Sequence, residues 1–503
     1  MPNSLSLFNN ICKADLPDIE FERLQLDSRK VDTQTVFIAL LGARLDGRQY
    51  IHQAIKQGAV AVLAEADTDN PHGRVKTFNA VQIIYIAHLS SLQNALATAC
   101  MSSMISDFPL IAITGTNGKT SIADMTYQCL LFLNKQPAYL GTLGVKTPND
   151  EKELANTTPV AIELYNLLAD IKLAGSDICA LEVSSHALVE QRVHGLAFFV
   201  SAFSNLSHDH LDFHGDMSSY YQAKKALFTQ YDANAFVINI DNKWGSLLVE
   251  ELMNEASVEN AKIIQVGRSA ALTQQPNFVQ ACDIKVLPHG FKFALKTTTE
   301  TVKCQLNLLG QFNIENALVV AGILLAQGFT LTEVMQAIES INAIKGRMET
   351  FYCPDKPLLV VDFAHTPDGL AQALQACRQH LSSTDCALYV VFGCGGDRDI
   401  DKRPLMGQVA AQYADRIIIT NDNARSEDPM MIANAIYDGI SNNTAVEIVL
   451  DRKAAIAQAY QQAQPGDVVL IAGKGHELTQ EIGSEKIKYN ERAYVQQLME
   501  RAA

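Results

Sequence analysis

The chain has 503 residues, of which 48% are hydrophobic and 19% are charged, and its net charge at pH 7 is −15. This length exceeds what one compact core needs and predicts two to four domains. The negative charge argues against a general binder of nucleic acid or of anionic membranes, because long-range attraction to phosphate is missing. It still permits anionic small substrates where basic residues converge locally.

The cysteines and the N-terminus bear on the cellular compartment. The ten cysteines are scattered, without a CxxC pair or a Cys/His spacing typical of zinc ligands, which indicates reduced thiols. The N-terminus is polar and acidic and lacks the basic and apolar regions of a signal peptide. No apolar run approaches the ~20 residues that span a bilayer. We therefore expect a cytoplasmic protein without membrane insertion, and we expect a monomer.

Short β-branched runs alternate with longer helical patterns along the chain, which is typical of parallel α/β sheets. Helices are predicted around residues 50–57 and at 90–105. Strands are predicted at residues 36–40, 59–65, 110–115, 179–183, 199–206, 236–241, 358–363, 387–393, 416–420 and 467–473. A transition at 346–351 separates the last four strands from the others. We predict three α/β domains, at residues 1–88, 89–343 and 344–503.

The segment LIAITGTNGKTS (residues 110–121) indicates a nucleotide site. It predicts a buried strand, a glycine turn and a helix that begins near Lys119, where backbone N–H groups and the helix dipole attract phosphate. Lys119 supplies a charge for the outer phosphates, and the Thr120 hydroxyl can bind Mg²⁺. Gly115 and Gly118 are separated by two residues instead of the four of the strict Walker pattern, so the strand–loop–helix context carries this prediction. An ordinary strand-to-helix turn is the alternative. The predicted phosphate-binding residues are Gly115, Thr116, Asn117, Gly118, Lys119, Thr120 and Ser121.

Charged and imidazole side chains follow two further predicted strands. Glu182 closes one strand, and the segment SNLSHDHLDFHG follows another and contains His208, His210 and His214. Ligands collect at the carboxyl ends of strands in open α/β sheets, so these groups are expected to lie near the nucleotide loop. A carboxylate, an imidazole and the Thr120 hydroxyl form a reasonable site for Mg²⁺. A zinc site and an ordinary polar loop are the alternatives, although the histidine spacing suits no single helical face and no cysteine accompanies it.

Many further segments form a consistent set along the chain. They are LDSRKV, GARLDGRQYI, ITGTNGKTS, NTTP, LEVSSHAL, NLSHDHLDFHG, YYQAKKALF, LLGQFNIENALVVAG, GRMET, VVDFAHTPDGL, FGCGGDRDIDKRPLMG, TNDNARSEDP and IAGKGHE. In these segments the chain resembles the Mur ligase family, and within it the members that add the third residue of the peptidoglycan stem peptide. One such motif would be weak evidence, but this many in register are specific.

The resemblance implies a fold and an activity. It implies an N-terminal α/β domain that binds the UDP-muramoyl substrate, a central P-loop domain with a parallel sheet, and a C-terminal Rossmann-like domain that binds an amino acid. It further implies an ATP- and Mg²⁺-dependent ligase that activates the D-glutamate γ-carboxylate of UDP-N-acetylmuramoyl-L-alanyl-D-glutamate as an acyl phosphate. The amine of meso-2,6-diaminopimelate would then attack.

The resemblance also places roles on single residues. Lys224 aligns with the lysine that the family carbamylates with CO₂, and the carbamate would bind Mg²⁺ together with Thr120, Glu182 and His210. The catalytic candidates are therefore Lys119, Glu182, His210 and Lys224. The remaining ATP contacts implied by the resemblance are Asn313, Arg347, Asp362 and His365.

For the UDP-muramoyl dipeptide, one position departs from the family pattern. Members usually carry Gln where this chain has Glu190, so Gln191 is the candidate to replace that contact. The full set of implied contacts is Ser28, Ala43, Arg44, Leu45, Thr157, Thr158, Ser184, Gln191 and Arg192.

The choice of amino acid depends on the segment DNAR at residues 422–425, here named the acceptor loop. It resembles the DNPR motif of members that add diaminopimelate, with Ala424 in place of proline; lysine-adding members commonly lack the arginine. The Arg425 guanidinium can bind the second carboxylate of diaminopimelate in a bidentate way, and its loss would cost about 2–5 kcal/mol. Glu477 is expected to meet the distal ammonium. The predicted acceptor contacts are Arg398, Asp422, Asn423, Ala424, Arg425, Gly473 and Glu477.

Several alternatives stay open at this stage. A ligase that adds L-lysine is the first, followed by one that adds the D-alanyl dipeptide. A folylpolyglutamate-type ligase shares the loop chemistry but has no need of the SSHAL and DNAR segments. An inactive nucleotide-binding scaffold is the alternative from another class, and the intact Lys119, Glu182, His210 and Lys224 argue against it.

Overall fold

The structure, a computed structural model, describes residues 3–42, 45–255, 261–440 and 445–501. The chain divides into two compact units, Met1–Phe278 with Gly322–Phe329 and Val279–Ala321 with Thr330–Ala503. Within the described ranges, no helix is long and apolar enough to cross a membrane.

The first unit begins with a small α/β layer. Its elements are β1 (Asn3–Ser4), α1 (Asn9–Cys12), β2 (Glu20–Phe21), β3 (Arg23–Gln25), β4 (Thr35–Ala39), α2 (Ile51–Gln57), β5 (Ala61–Glu65), β6 (Val75–Phe78), β7 (Val81–Ile86) and α3 (Leu89–Ile105). The main sheet has the strand order β3-β4-β5-β7-β6, in which β6 runs antiparallel to β7 and the other pairs are parallel. β4 and β5 are buried along their whole length and apolar except for Thr35 and Glu65 at their ends, as expected for parallel strands that are covered on both faces.

A larger, mostly parallel sheet forms the rest of the first unit, with β10 antiparallel to its two neighbours. Its elements are β8 (Leu110–Thr114), α4 (Lys119–Phe132), β9 (Pro137–Gly141), β10 (Gly144–Lys146), β11 (Glu151–Lys152), α5 (Ala161–Leu173), β12 (Ile178–Glu182), α6 (Ser185–Val189), β13 (Phe198–Phe203), α7 (Leu211–His214), α8 (Met217–Thr229), β14 (Ala233–Asn239), α9 (Lys243–Met253) and β15 (Lys262–Gly267). These strands follow the order β11-β10-β9-β12-β8-β13-β14-β15.

The strand order explains where a site can form in this sheet. β8 lies between β12 and β13 and runs parallel to both, so the chain leaves β8 at a point where the connections reverse direction. Thr114, Glu182 and Phe203, the last residues of these three strands, therefore lie at one edge of the sheet. Ligands of open α/β sheets bind at such an edge.

The second unit contains two groups of strands. Its elements are β16 (Phe278–Leu287), β17 (Gly290–Lys296), β18 (Thr301–Leu306), α10 (Phe312–Ala326), α11 (Leu331–Glu339), β19 (Glu349–Phe351), β20 (Leu358–Asp362), α12 (Pro367–Arg378), β21 (Leu388–Phe392), α13 (Lys402–Tyr413), β22 (Arg416–Ile419), α14 (Pro429–Tyr437), β23 (Ala445–Ile448), α15 (Arg452–Gln462), β24 (Val468–Ala472), β25 (Thr479–Ile482), β26 (Glu485–Lys488) and α16 (Glu491–Arg501). Phe278 of β16 and the end of α10 from Gly322 onward belong to the first unit. β16, β17 and β18 pair antiparallel, and β25 pairs with β26 as a hairpin.

The C-terminal sheet has the order β19-β20-β24-β21-β22-β23, and its strands are parallel except at β19. Side chains of β20 alternate between two cores, as the period of two in a strand requires. Leu358 and Val360 belong to one core with residues of α12, α13 and α14, whereas Leu359 and Val361 belong to another with residues of α15 and α16. The predicted α/β class is confirmed, and the predicted strands and helices occur within a few residues of their expected positions.

Candidate functional site

The nucleotide loop connects β8 to α4 and is bonded to the end of β13. Gly115 and Gly118 have φ angles of +147° and +88°, which side chains strongly disfavour. A Cβ on Gly115 would lie 1.9 Å from Ser204 Oγ. The Asn117 backbone N–H donates to Asn205 Oδ1 over 3.0 Å, and Ser204 Oγ donates to the Asn117 carbonyl over 2.6 Å. The short loop therefore depends on both glycines and on the residues that follow β13.

Lys119 lies at the start of α4 with its ammonium inside the loop. Its Nζ donates to the carbonyl oxygens of Gly115 and Thr116, both over 2.9 Å. Burial lowers the pKa of Lys119, while the nearby charges of Glu182 and Asp209 act in the opposite direction. Ser121 follows in the first turn of α4, where backbone N–H groups have no helical partner and can bind an anion.

Glu182 is fully buried at the end of β12, and hydrogen-bond donors surround its carboxylate. Oε2 accepts from Thr120 Oγ1 at 2.9 Å and from Thr142 Oγ1 at 3.2 Å. Oε1 accepts from the Thr142 backbone N–H at 2.9 Å and from the Tyr139 hydroxyl. A Cβ on Gly141 would lie 2.2 Å from Oε1. These donors take the place of water around the carboxylate, because burial of a charged group without hydrogen bonds costs free energy.

Lys224 on α8 is the second buried amine at this edge, with 1% of its surface exposed. Its Nζ donates to the Gly115 carbonyl over 2.8 Å and lies 4.7 Å from the centre of the Tyr220 ring. Burial and the charge of Lys119 hold the pKa of Lys224 well below its ordinary value. The same carbonyl oxygen thus accepts from both predicted catalytic lysines, which disfavours two cations there.

His210 directly precedes α7 with a φ of +52° and lies among other aromatic rings. Its ring centre is 5.1 Å from that of His186, and its Nε2 is 3.4 Å from the Asp209 carboxylate. His214 Nε2 lies 2.9 Å from Ser185 Oγ. Burial, followed by the neighbouring imidazoles, lowers the pKa of His186 and of His214. Among the residues that the structure describes, no group of three or more His, Cys, Asp or Glu side chains is arranged to hold a metal ion.

The segments that follow Glu182 contain most of the predicted dipeptide contacts. Thr158 is buried; its Oγ1 donates to the Glu182 carbonyl over 2.7 Å and accepts from the Ser184 backbone N–H at 3.1 Å. Arg192 donates through Nη1 to the Thr158 carbonyl over 2.6 Å and through Nε to Glu190 Oε2 over 2.8 Å. Glu190, the departure from the family pattern, therefore binds the neighbouring arginine.

The other dipeptide candidates are more dispersed. Thr157 Oγ1 lies 3.0 Å from Thr142 Oγ1, which connects it to the donors around Glu182, and Gln191 has a φ of +54°. Ser28, in the N-terminal layer, is buried, and its Oγ donates to Gln53 Oε1 over 3.1 Å. Leu45 is exposed in the same layer. Ala43 and Arg44 lie outside the described residues.

The second unit contains the remaining ATP candidates. Asp362 ends β20, and its carboxylate accepts from the Met348 backbone N–H at 2.8 Å. Burial raises the pKa of Asp362, although backbone hydrogen bonds and the charge of Arg347 oppose the rise. Asn313 is buried at the start of α10, and its Nδ2 donates to the Leu309 carbonyl over 2.8 Å. His365 is exposed three residues after β20, and its Nδ1 lies 2.8 Å from the Phe363 carbonyl oxygen.

Opposite charges are paired beside the acceptor loop. Asn423 Nδ2 donates to Glu477 Oε2 over 3.0 Å, and Asn423 Oδ1 accepts from Lys474 Nζ at 3.0 Å. Lys474 is fully buried, and its Nζ also donates to Glu477 Oε2 over 2.8 Å. Burial alone would raise the pKa of Glu477, but the hydrogen bonds and charge of Lys474 and the hydrogen bond of Asn423 outweigh it and lower the pKa.

Arg425 ends the acceptor loop with a φ of +51°. Its Nη1 donates to the Gly396 carbonyl over 2.7 Å, and its Nε donates to Glu481 Oε2 over 3.1 Å. The neighbouring Ala424 is completely buried.

Other predicted acceptor contacts lie around the loop. Gly473 follows β24 at a φ of +117°, and a Cβ there would lie 2.6 Å from Asp422 Oδ2, which explains glycine at this position. Arg398 is exposed and lies near Gly395, within 3.8 Å of its ideal Cβ position.

Sequence reasoning missed several residues of these arrangements. Tyr139 and Thr142 surround Glu182, yet they lie in β9 and the turn after it, where no motif was recognised. Lys474 is part of the quoted segment IAGKGHE, so a buried charge next to Glu477 could have been inferred from it. Glu481 lies beyond every motif, and only the structure brings it to Arg425.

Comparisons with known proteins show the family of the chain. Three family profiles match the chain: "Mur ligase family, catalytic domain" at residues 20–99, "Mur ligase middle domain" at 113–324, and "Mur ligase, glutamate ligase domain" at 346–475. The chain is 37% identical over 506 residues to UDP-N-acetylmuramoyl-L-alanyl-D-glutamate–2,6-diaminopimelate ligase of Vibrio vulnificus strain YJ016, with 99% of both proteins covered.

Two solved structures extend the comparison. A structure of a UDP-N-acetylmuramoyl-L-alanyl-D-glutamate–2,6-diaminopimelate ligase matches with a TM-score of 0.75 and 31% identity, covering 100% of this chain and 99% of that one. A MurF ligase of Thermotoga maritima in complex with ADP matches in fold, with a TM-score of 0.58 and 18% identity over 90% and 93% of the two chains. Since the identity extends over the full length of a curated relative, the chain belongs to the Mur ligase family.

Proposed function

We propose that the protein adds meso-2,6-diaminopimelate to the D-glutamate γ-carboxylate of UDP-N-acetylmuramoyl-L-alanyl-D-glutamate, using ATP, in peptidoglycan precursor synthesis. Full-length similarity to a ligase named for these substrates supports the reaction. One observation above all supports diaminopimelate as the acceptor. Arg425 and Glu477 belong to the same network of hydrogen bonds at the acceptor loop. A cation and an anion there match the distal carboxylate and ammonium of a diamino diacid.

The chemistry requires activation of a carboxylate, because its oxygen is a poor leaving group. Transfer of the ATP γ-phosphoryl group to the D-glutamate γ-carboxylate gives an acyl phosphate and ADP. The neutral acceptor amine then attacks the carbonyl carbon, inorganic phosphate leaves, and the nitrogen loses a proton to give the amide. Lys119 and the N–H groups of the nucleotide loop would stabilise negative charge on the phosphates, which is the main contribution a protein makes to such a transfer.

A Mg²⁺ site is part of the proposal. When bound, the ion would neutralise phosphate charge. Thr120, Glu182, His210 and a carbamylated Lys224 would hold it. The amine of Lys224 would react with CO₂ to give a carbamate and one proton. The environment of Lys224 fits this modification, because the amine is buried beside Lys119, where an anion is better tolerated than a second cation.

We further assign residues 1–88 to binding of the UDP-muramoyl substrate, 89–343 to ATP and 344–503 to the amino acid. The match of three family profiles to three consecutive segments supports this division. A cytoplasmic location follows from the use of ATP and a UDP-linked precursor. A monomer is the expected assembly, and sedimentation of the purified protein tests it.

The test measures phosphate release from ATP with each substrate omitted in turn. We expect release to require both the UDP-muramoyl dipeptide and meso-diaminopimelate, and to fall strongly when L-lysine replaces diaminopimelate. Arg425→Ala should lower kcat/KM for diaminopimelate by about 30-fold or more, since a lost charged partner costs at least about 2 kcal/mol. The KM for ATP should stay unchanged.

Arg416→Ala is the matched control, because Arg416 is an exposed arginine at the amino end of β22, the end away from the acceptor loop. Equal turnover of L-lysine and diaminopimelate, or unchanged kinetics in Arg425→Ala, would contradict the proposed acceptor.

A further inference from the structure

The β25–β26 hairpin lies along the acceptor loop and is bonded to it at several points. The Arg425 backbone N–H donates to the Glu481 carbonyl over 3.1 Å, and the Gly483 N–H donates to the Arg425 carbonyl over 2.7 Å. Gln480 Nε2 donates to the Asp422 carbonyl over 2.8 Å. The hairpin therefore holds both ends of a loop that has Ala424 where related ligases have proline.

A side-chain contact adds to this backbone pairing. Glu481 Oε2 accepts from Arg425 Nε at 3.1 Å, while Arg425 Nη1 donates to the Gly396 carbonyl over 2.7 Å. Two fixed donors define the plane of the guanidinium. Within the part of the chain that the structure describes, these two bonds occupy two of its five N–H donors, and Nη1 and Nη2 each keep a donor with which a guanidinium can bind a carboxylate in a bidentate way.

The position of Glu481 makes it more than a surface ion pair. Its backbone N–H donates to Asn423 Oδ1 over 2.9 Å, so the same residue also contacts the amide that is bonded to Glu477. The Arg425 backbone, at a φ of +51°, adopts a conformation that non-glycine residues seldom take. The hydrogen bonds from the hairpin therefore stabilise the loop in this unfavourable conformation.

We propose that Glu481 is a positioning residue that determines acceptor specificity, because it orients the Arg425 guanidinium toward the distal carboxylate of a diamino diacid. The inference rests on the proposed function and goes beyond it by naming the residue that orients the Arg425 guanidinium. If Glu481 instead competed with the substrate for Arg425, its removal would strengthen acceptor binding. The two roles predict opposite changes in KM.

The experiment uses the full-length enzyme with Glu481→Gln and Glu481→Ala. We expect Glu481→Ala to raise the KM for meso-diaminopimelate about five-fold, the scale of a partly exposed ion pair. Glu481→Gln, which keeps an oxygen acceptor of the same shape, should be affected less. The KM values for ATP and the UDP-muramoyl dipeptide and the thermal unfolding temperature should not move, which separates positioning from a general loss of structure. The preference for diaminopimelate over L-lysine should fall in parallel.

Glu485→Gln is the matched control, because it removes the same charge from an exposed position on the other strand of the hairpin. In an Arg425→Ala background, Glu481→Gln should have no additional effect on diaminopimelate turnover, since Glu481 acts through Arg425. An unchanged or lower KM for diaminopimelate in both Glu481 variants, or an equal effect of Glu485→Gln, would overturn the inference while leaving the proposed function intact. A wild-type enzyme that prefers L-lysine would instead overturn the proposed function.

Discussion

The surroundings of Lys224 indicate the chemical state of its amine. A buried lysine normally needs an acidic partner, yet Lys224 Nζ donates to the neutral Gly115 carbonyl, and the charge of Lys119, which lowers its pKa, outweighs that of Asp209, which raises it. Both burial and the neighbouring cation favour the neutral amine, and only a neutral amine reacts with CO₂. The site thus supplies the chemical condition for carbamylation.

Substitution at Lys224 tests this directly. Wild-type protein equilibrated with ¹³C-bicarbonate should give a carbamate carbon signal in ¹³C NMR, and Lys224→Arg should lack it because a guanidinium does not form the carbamate. The adjacent Lys225→Arg is the matched control, since Lys225 is only half-buried and its Nζ pairs with the Glu251 carboxylate over 3.2 Å. A signal that persists in Lys224→Arg, or disappears in Lys225→Arg, would contradict the assignment.

The residues found from the sequence share one property. Lys119, Glu182 and Arg425 occur in motifs at the ends of strands, where order along the chain already predicts convergence. Their partners could not be predicted in the same way. Tyr139 reaches Glu182 across neighbouring strands, and Glu481 reaches Arg425 through a hairpin, so both contacts depend on strand order and register, which no local pattern encodes.

At the scale of elements, the nucleotide loop can be short because residues that follow a neighbouring strand form hydrogen bonds with it. Two residues between its glycines leave little backbone to enclose phosphates, and Ser204 and Asn205 after β13 supply hydrogen bonds that a longer loop would make internally. The hydrogen bonds from the end of β13 thus compensate for the short spacing that departs from the strict Walker pattern. Gly115 is the point of closest approach between the loop and Ser204.

Gly115→Ala should therefore damage nucleotide binding beyond the ordinary cost of a side chain at positive φ. The new Cβ would displace Ser204 Oγ and break its bond to the Asn117 carbonyl. We expect the Kd for an ATP analogue, measured by calorimetry, to rise at least about ten-fold, a cost of about 1.4 kcal/mol.

Gly175→Ala is the control for this substitution, because Gly175 also has a positive φ, +95°, but no atom lies within 4 Å of its ideal Cβ position. It should lower the free energy of unfolding by about 1 kcal/mol and leave ATP affinity unchanged. Equal affinity in the two variants would mean that the contact with Ser204 does not shape the site.

Elements differ in how far the sequence predicts them. The parallel strands are continuous apolar runs and were predicted to within a few residues, as for β8 and β24. The antiparallel β16, β17 and β18 were not predicted. β16 is buried only over its first half, alternates over its second, and has a register shift between Cys282 and Lys285, so its pattern changes within one strand.

At the scale of the whole molecule, the proposed function assigns the two halves of the reaction to residues in different units. The first unit contains the nucleotide loop, Glu182 and Lys224, which are suited to carboxylate activation. The second contains the acceptor loop with Arg425 and Glu477, in addition to candidates for the rest of ATP. A net charge of −15 on a protein with anionic substrates makes such local sites necessary, because the molecule as a whole repels them.

This division predicts that the two half-reactions can be separated by mutation. With ATP labelled by ¹⁸O at the β–γ bridge, reversible formation of the acyl phosphate lets the label scramble when the UDP-muramoyl dipeptide is present and diaminopimelate is absent. Arg425→Ala should scramble at close to the wild-type rate while transferring little diaminopimelate, because its guanidinium meets only the acceptor. Lys119→Ala should lose both activities, since stabilisation of the transferred phosphoryl group precedes everything else. Omission of the dipeptide should stop scrambling in every variant, and a parallel loss of scrambling and transfer in Arg425→Ala would refute the separation.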